Sequence, residues 1–104
     1  MEERLPLVTI MGPTGVGKTD LAISLFKTVS LEIISVDSVQ VYKGMDIGTG
    51  KPSKEILDNY PHNLLSFIDP WKSYSTALFI NDATREIDLC DKSKKVPLLV
   101  GGTM

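Results

Sequence analysis

Gly12, Gly15, Gly17, Lys18 and Thr19 lie in the stretch GPTGVGKT, residues 12–19, with the spacing G-x-x-x-x-G-K-T. That pattern suits one kind of chemistry. Glycines let successive backbone N–H groups turn inward, and a helix starting directly behind them adds its unpaired donors and the positive end of its dipole. The product is a cradle for phosphate oxygens, in which Pro13, Thr14 and Val16 complete the turn. Lys18 would bring a point charge to the terminal phosphate, and the Thr19 hydroxyl would take a position on Mg²⁺. A polyphosphate ligand follows from this motif, but a reaction does not.

Asp37 is the next residue with chemistry to offer. It ends the apolar run of LEIISVDS, and in open α/β sheets ligands gather beyond the carboxyl ends of the strands. There it would hold a cation through water or take up a proton; as a purely structural residue it would cap the next turn together with Ser38. Gly101, Gly102 and Thr103 end a further apolar run, VPLLVGGT. The glycines permit close backbone approach and Thr103 offers a hydroxyl, where a motor NTPase would more often carry a magnesium-binding Asp. Lys43, Lys51 and Lys54 suit either phosphates of a larger partner or plain solvated loops. His62, Trp71 and Tyr74 would either line a pocket or, as mainly expected, pack the long connection onto the domain, and Cys90 is expected to lie in the core.

The elements that must position these groups are legible in outline. Residues 7–11 are short, apolar and bounded by Pro6 and Gly12, as in a strand buried on both faces. Residues 18–29 predict a helix with Leu21, Leu25 and Val29 as its apolar stripe and Ala22 and Phe26 beside them. Ile33, Ile34 and Val36 mark a second strand, and residues 96–100 a third. Between these two, the Gly- and Pro-rich YKGMDIGTGKPS and PHNLLSFIDP read as a long functional loop region. Residues 75–92 then predict a helix with Phe79, Ala83, Ile87 and Cys90 on one face and Ser75 as its cap. The expected fold is α/β: a three-layer domain with a parallel sheet, similar to P-loop NTPases.

Composition limits the alternatives. A chain of 104 residues holds one domain with a modest core, so residues 1–104 are taken as a single donor-binding unit. Because parallel sheets need cover on both faces, an end directly after the third strand suggests the first part of a longer protein. The net charge of −2, with basic residues scattered, supplies no basic stripe for nucleic acid. The only cysteine, Cys90, excludes an internal disulfide and fits a reducing cytoplasm. No stretch has the roughly 18 apolar residues of a membrane span.

The segments GPTGVGKTDLAI, EIISVDSVQVYKGMDIGTGKPS, PHNLLSFIDP followed by YS, and VPLLVGGTM together resemble the N-terminal part of the tRNA dimethylallyltransferases, also called tRNA isopentenyltransferases. The loop motif is widespread, whereas the run D-S-x-Q-x-Y-x-G-M-D-I-G-T-x-K-P, in order with PH, DP and GGT, is far more specific. The resemblance implies transfer of a dimethylallyl group from dimethylallyl diphosphate, with Mg²⁺, to N6 of an adenine next to the anticodon of tRNA. It implies that residues 14–19 hold the diphosphate and that Asp37 accepts the proton from N6. Ser38, Val39 and Gln40 would continue the adenine-side contact, with Thr103 close to the diphosphate or the target nucleotide. The family's tRNA-gripping helical insert and C-terminal part would lie beyond Met104, and the protein is expected to work as a monomer. A prenyltransferase acting on free adenine nucleotides, a small-molecule kinase and a non-catalytic polyphosphate-binding fragment are the alternatives.

Overall fold

The apolar runs become strands, those at 31–35 and 96–101 in the interior of the sheet and the one at 8–11 at its edge. The computed structural model of the chain describes residues 7–12, 17–37, 40–44, 51–69 and 71–101. In chain order the elements are β1 (Val8–Met11), α1 (Lys18–Thr28), β2 (Leu31–Ser35), α2 (Lys54–Asn59), β3 (His62–Asn63), α3 (Thr76–Lys92) and β4 (Val96–Gly101). The strands form one parallel sheet in the order β1-β4-β2-β3. In this register Ile33 lies beside Leu98 and His62, and Ile10 beside Val100.

Helices cover both faces, as a parallel sheet requires. On one face Ala22 of α1 packs with Leu31, Ile33 and Leu98, joined by Leu25, Phe26 and Tyr60. The Phe26 and Tyr60 rings meet edge to face at 5.3 Å. On the other face Cys90 of α3 packs with Ile34 and Val36, joined by Phe79, Ile87 and Leu99. The expected α3 face is therefore the buried one, and the Ser75 hydroxyl caps it by accepting from the Leu78 N–H at 3.2 Å.

The structure corrects the expectations in four places. Strand β1 is not buried on both faces but lies at the sheet edge with Thr9 and Met11 exposed. The sheet has a fourth strand, β3, and the long connection also carries α2, whose cap Ser53 accepts from the Ile56 N–H. Helix α1 turns its Ala22, Leu25 and Phe26 side inward and leaves Leu21 50% and Val29 41% exposed. Ala22 is the one fully buried residue of α1, so the inward face is centred on it and not on Leu21 and Val29. Trp71 does not pack the connection down but stands 80% exposed. Tyr74 does pack: its ring meets Phe67 and Phe79 edge to face, and its hydroxyl donates to Asp82.

Candidate functional site

The carboxyl ends of β2 and β4, the short β3 and the N-terminus of α1 converge on one cleft of about 300 Å³. Gly17, Lys18, Thr19 and Asp20 form its helix wall, Val100 and Gly101 its floor, and Ser35, Asp37, Gln40, Pro52 and His62 the opposite side. The loop between β1 and α1, with Pro13, Thr14, Gly15 and Val16, lies outside the described residues, as do Ser38, Val39 and Thr103.

Gly17 starts α1 in the left-handed region, φ 79° and ψ 20°, and no side chain caps the helix. The first-turn N–H groups have no intrahelical acceptor, so this end presents backbone donors and a positive dipole to the cleft. Lys18 reaches across it. Its Nζ donates to the carbonyl of Gly12, after β1, at 2.6 Å, and to that of Gly101, ending β4, at 2.9 Å. An ammonium has three protons, so this fork leaves one to direct at a ligand while fixing where the charge sits.

Gly101 has a steric reason to be glycine. A Cβ there would lie 2.5 Å from Val36 Cγ2 and 2.7 Å from the Val36 carbonyl oxygen. The close approach at this strand end is to Val36, the residue that follows β2. It keeps the Gly101 carbonyl within reach of Lys18.

Asp37 lines the cleft two residues past β2, and its Oδ1 accepts the Gln40 N–H at 3.1 Å. The turn-capping and cleft-facing roles therefore coexist: one oxygen organises the turn that brings Gln40 to the rim. Lys43 and Lys51 serve the fold. Lys51 Nζ donates to the Tyr42 carbonyl at 2.6 Å and to Ser66 Oγ at 2.8 Å, and Lys43 lies 3.5 Å from Asp69.

Two further residues line the cleft. Ser35, which the sequence does not single out, is 2% exposed, and its Oγ has no hydrogen-bond partner among the described residues. His62 takes the pocket-lining role that was the lesser of its two expectations. Its Nδ1 lies 2.7 Å from the Tyr60 carbonyl and must carry the proton, which leaves a lone pair on Nε2. Burial pushes the His62 pKa down, partly opposed by that hydrogen bond, so the ring stays neutral at neutral pH. Nothing in the spacing around Ser35 distinguishes it from an ordinary strand residue, whereas His62 stands in the PH pair of the quoted segments.

Among the described residues no cluster of three His, Cys, Asp or Glu side chains could cage a metal. One hydroxyl, Thr19, beside an orphaned hydroxyl, Ser35, and a carboxylate, Asp37, is instead a donor set for a hard, largely hydrated cation that arrives with phosphate. The residues fit Mg²⁺ in that form.

Fold and cleft together define the class: a parallel α/β domain whose strand–loop–helix unit, carrying G-x-x-x-x-G-K-T, opens onto a polar cleft at the strand ends. Within that class the chain belongs to the isopentenyl transferases. The isopentenyl transferase model matches residues 5–65 and the IPP transferase model residues 40–104. Among solved structures, the chain is similar to a tRNA isopentenylpyrophosphate transferase from Bacillus halodurans, with 48% identity and TM-score 0.86 over 93% of this chain and 32% of that one. The tRNA delta(2)-isopentenylpyrophosphate transferase of Staphylococcus epidermidis is 41% identical, with TM-score 0.85 over 95% of this chain and 33% of that one. A eukaryotic dimethylallyltransferase acting on tRNA is 31% identical, with TM-score 0.82 over 93% and 24%. The chain thus spans about a third or less of the length of these relatives.

Proposed function

We propose that this chain is the donor-binding part of an enzyme that moves a dimethylallyl group from dimethylallyl diphosphate to N6 of an adenine adjacent to the anticodon of tRNA. The observation that carries this is the placement of Lys18, Thr19 and Asp37 around one cleft, in a chain that belongs to the isopentenyl transferases. The action of the eukaryotic neighbour on tRNA supports the choice of acceptor.

In the proposed reaction the allylic C–O bond breaks, a C–N6 bond forms, and diphosphate leaves with the electron pair. Residues 12–19 hold the diphosphate, with the Lys18 ammonium, already fixed by two carbonyls, facing the charge that grows on the leaving oxygen. Asp37 takes the proton that N6 loses; because a neutral exocyclic amine is hardly basic, removal helps as the C–N bond forms. Bound Mg²⁺, with Thr19 among its ligands, supplies further neutralisation of the diphosphate. Ser38, Val39, Gln40 and Thr103 complete the adenine side. We place this chemistry in the cytoplasm, in a monomer; the unpaired Cys90 thiol accords with a reducing compartment.

Calorimetric titration with dimethylallyl diphosphate and with ATP, each with Mg²⁺, tests the assignment. Tighter binding of the prenyl donor, lost in Lys18→Met, is expected; preference for ATP would move the protein to phosphoryl transfer. In a chain extended to the length of its relatives, Asp37→Asn should slow transfer to an anticodon stem-loop by about 10²–10⁴-fold while leaving donor affinity within about twofold. Loss of donor binding in that variant would make Asp37 a ligand of the metal or a structural carboxylate instead of the base.

A further inference from the structure

Ser35 and His62 are polar groups on the same wall of the cleft. Ile33 and His62 are register partners, and Ser35, two residues past Ile33, points to the same face of the sheet. That is the face covered by α1, so both look toward Lys18 and Thr19. His62 does not suit a phosphate oxygen. The His62 ring, which lines the cleft and is held neutral by burial with its only proton committed to the Tyr60 carbonyl, keeps an acceptor lone pair on Nε2 that needs a donor. The Ser35 hydroxyl has no partner among the described residues, although leaving a buried hydroxyl unpaired is costly.

A cation held by phosphate presents such donors. Mg²⁺ gives up water reluctantly and usually keeps several water ligands when one or two protein groups and a phosphate bind it. Each of those waters is a polarised double donor that needs an acceptor. We infer that Ser35 and His62 are positioning residues that hold, through its water ligands and without direct bonds, the divalent cation accompanying diphosphate in the Lys18–Thr19 cradle. Asp37, with Oδ1 already accepting from the Gln40 N–H, stands at the same wall. The arrangement explains how this cleft accommodates a metal while the described residues contain no multi-carboxylate cage. It rests on the diphosphate cradle proposed above.

His62 is the only histidine in the chain, so its imidazole nitrogens can be read without assignment. In ¹⁵N-histidine-labelled protein, inorganic diphosphate is added first and Mg²⁺ second, with calorimetry run in parallel to establish binding. The Nε2 resonance is expected to hold still with diphosphate alone and to shift when Mg²⁺ follows. Relaxation by Mn²⁺ should place the metal roughly 4–5 Å from Nε2, one water away, where direct ligation would give about 2 Å. Ser35→Ala should weaken Mg²⁺ affinity of the diphosphate-bound protein about tenfold without changing metal-free diphosphate binding, and Ser35→Thr should restore it.

Binding of Mg²⁺ and diphosphate with a silent His62, or a Mn²⁺ distance near 2 Å, would overturn the water-mediated role and leave the prenyl-transfer proposal standing. So would an equal loss of metal-free diphosphate binding in Ser35→Ala, which would make Ser35 structural. Failure of diphosphate to bind at all would overturn the cradle, and this inference with it.

Discussion

Gly101→Ala gives the sharpest test of how the cleft is built. The added methyl would meet Val36 Cγ2 at 2.5 Å and the Val36 carbonyl oxygen at 2.7 Å, where ordinary contact begins at 3.4 Å. The side-chain clash can relax by rotation about χ1, but the carbonyl cannot move freely, because the Val36 N–H is tied to the Val100 carbonyl at 2.9 Å. Overpacking of this kind costs about 1–3 kcal/mol. In a domain of this size each kcal/mol lowers Tm by roughly 4–8 °C. A second effect follows because the Gly101 carbonyl accepts both the Lys18 ammonium at 2.9 Å and the Gly12 N–H at 3.3 Å. Moving it misplaces the charge in the cleft, and diphosphate affinity should fall roughly tenfold, or about 1.4 kcal/mol. Denaturant titration and calorimetry read the two effects separately. Adding Val36→Ala removes the softer clash and leaves the harder one, so the double variant should recover about 0.5–1 kcal/mol relative to additivity. A Gly101→Ala protein within about 0.5 kcal/mol of the parent, or strict additivity in the double variant, would refute the close approach and its link to Lys18.

Three further outcomes follow from other contacts. Lys18→Met keeps the side-chain stem and deletes two charge-assisted bonds, so the ligand-free protein should lose about 1–2 kcal/mol in denaturant titration after discounting for partial exposure. Unchanged stability would mean that the ammonium does not clamp β1 to β4. The Tyr74 phenol has its pKa raised by burial and by its bond to Asp82, so the folded state retains a proton that the unfolded state releases near pH 10. The resulting stability is complete below pH 10 and declines as pH rises toward the folded-state pKa; Tyr74→Phe should flatten that alkaline decline. The Cys90 thiol is pushed up by burial, with Glu32 and Glu86 adding to the effect and Lys95 opposing it. Alkylation by iodoacetamide at pH 8 should therefore be at least about tenfold slower in the native protein than in denaturant, and equal rates would place Cys90 outside the core.

The parts of the fold that could be read from the sequence are those fixed by local chemistry. Lys18 and Thr19 open a helix behind a glycine, Ser75 caps α3, and Phe79, Ala83, Ile87 and Cys90 recur at helical spacing; each is set by residues within a turn or two of itself. The parts that were missed depend on partners distant in the chain. Strand β3 is two residues long and exists only because Ile33 and Ile34 offer it an edge, and α2 is six residues with none buried, too short for any periodicity. For α1, two neighbouring stripes were available, and the sheet under Ala22 selected between them. The same distinction divides the site. Lys18, Thr19 and Asp37 announce themselves by motif and by position at a strand end. The Nε2 lone pair of His62 depends on a proton held by the Tyr60 carbonyl, and Ser35 stands out only because no described neighbour satisfies it. Residues marked by a motif or by a strand end are thus legible in this sequence, whereas those that stand out through a hydrogen bond, made or missing, become visible only when the strands are laid side by side.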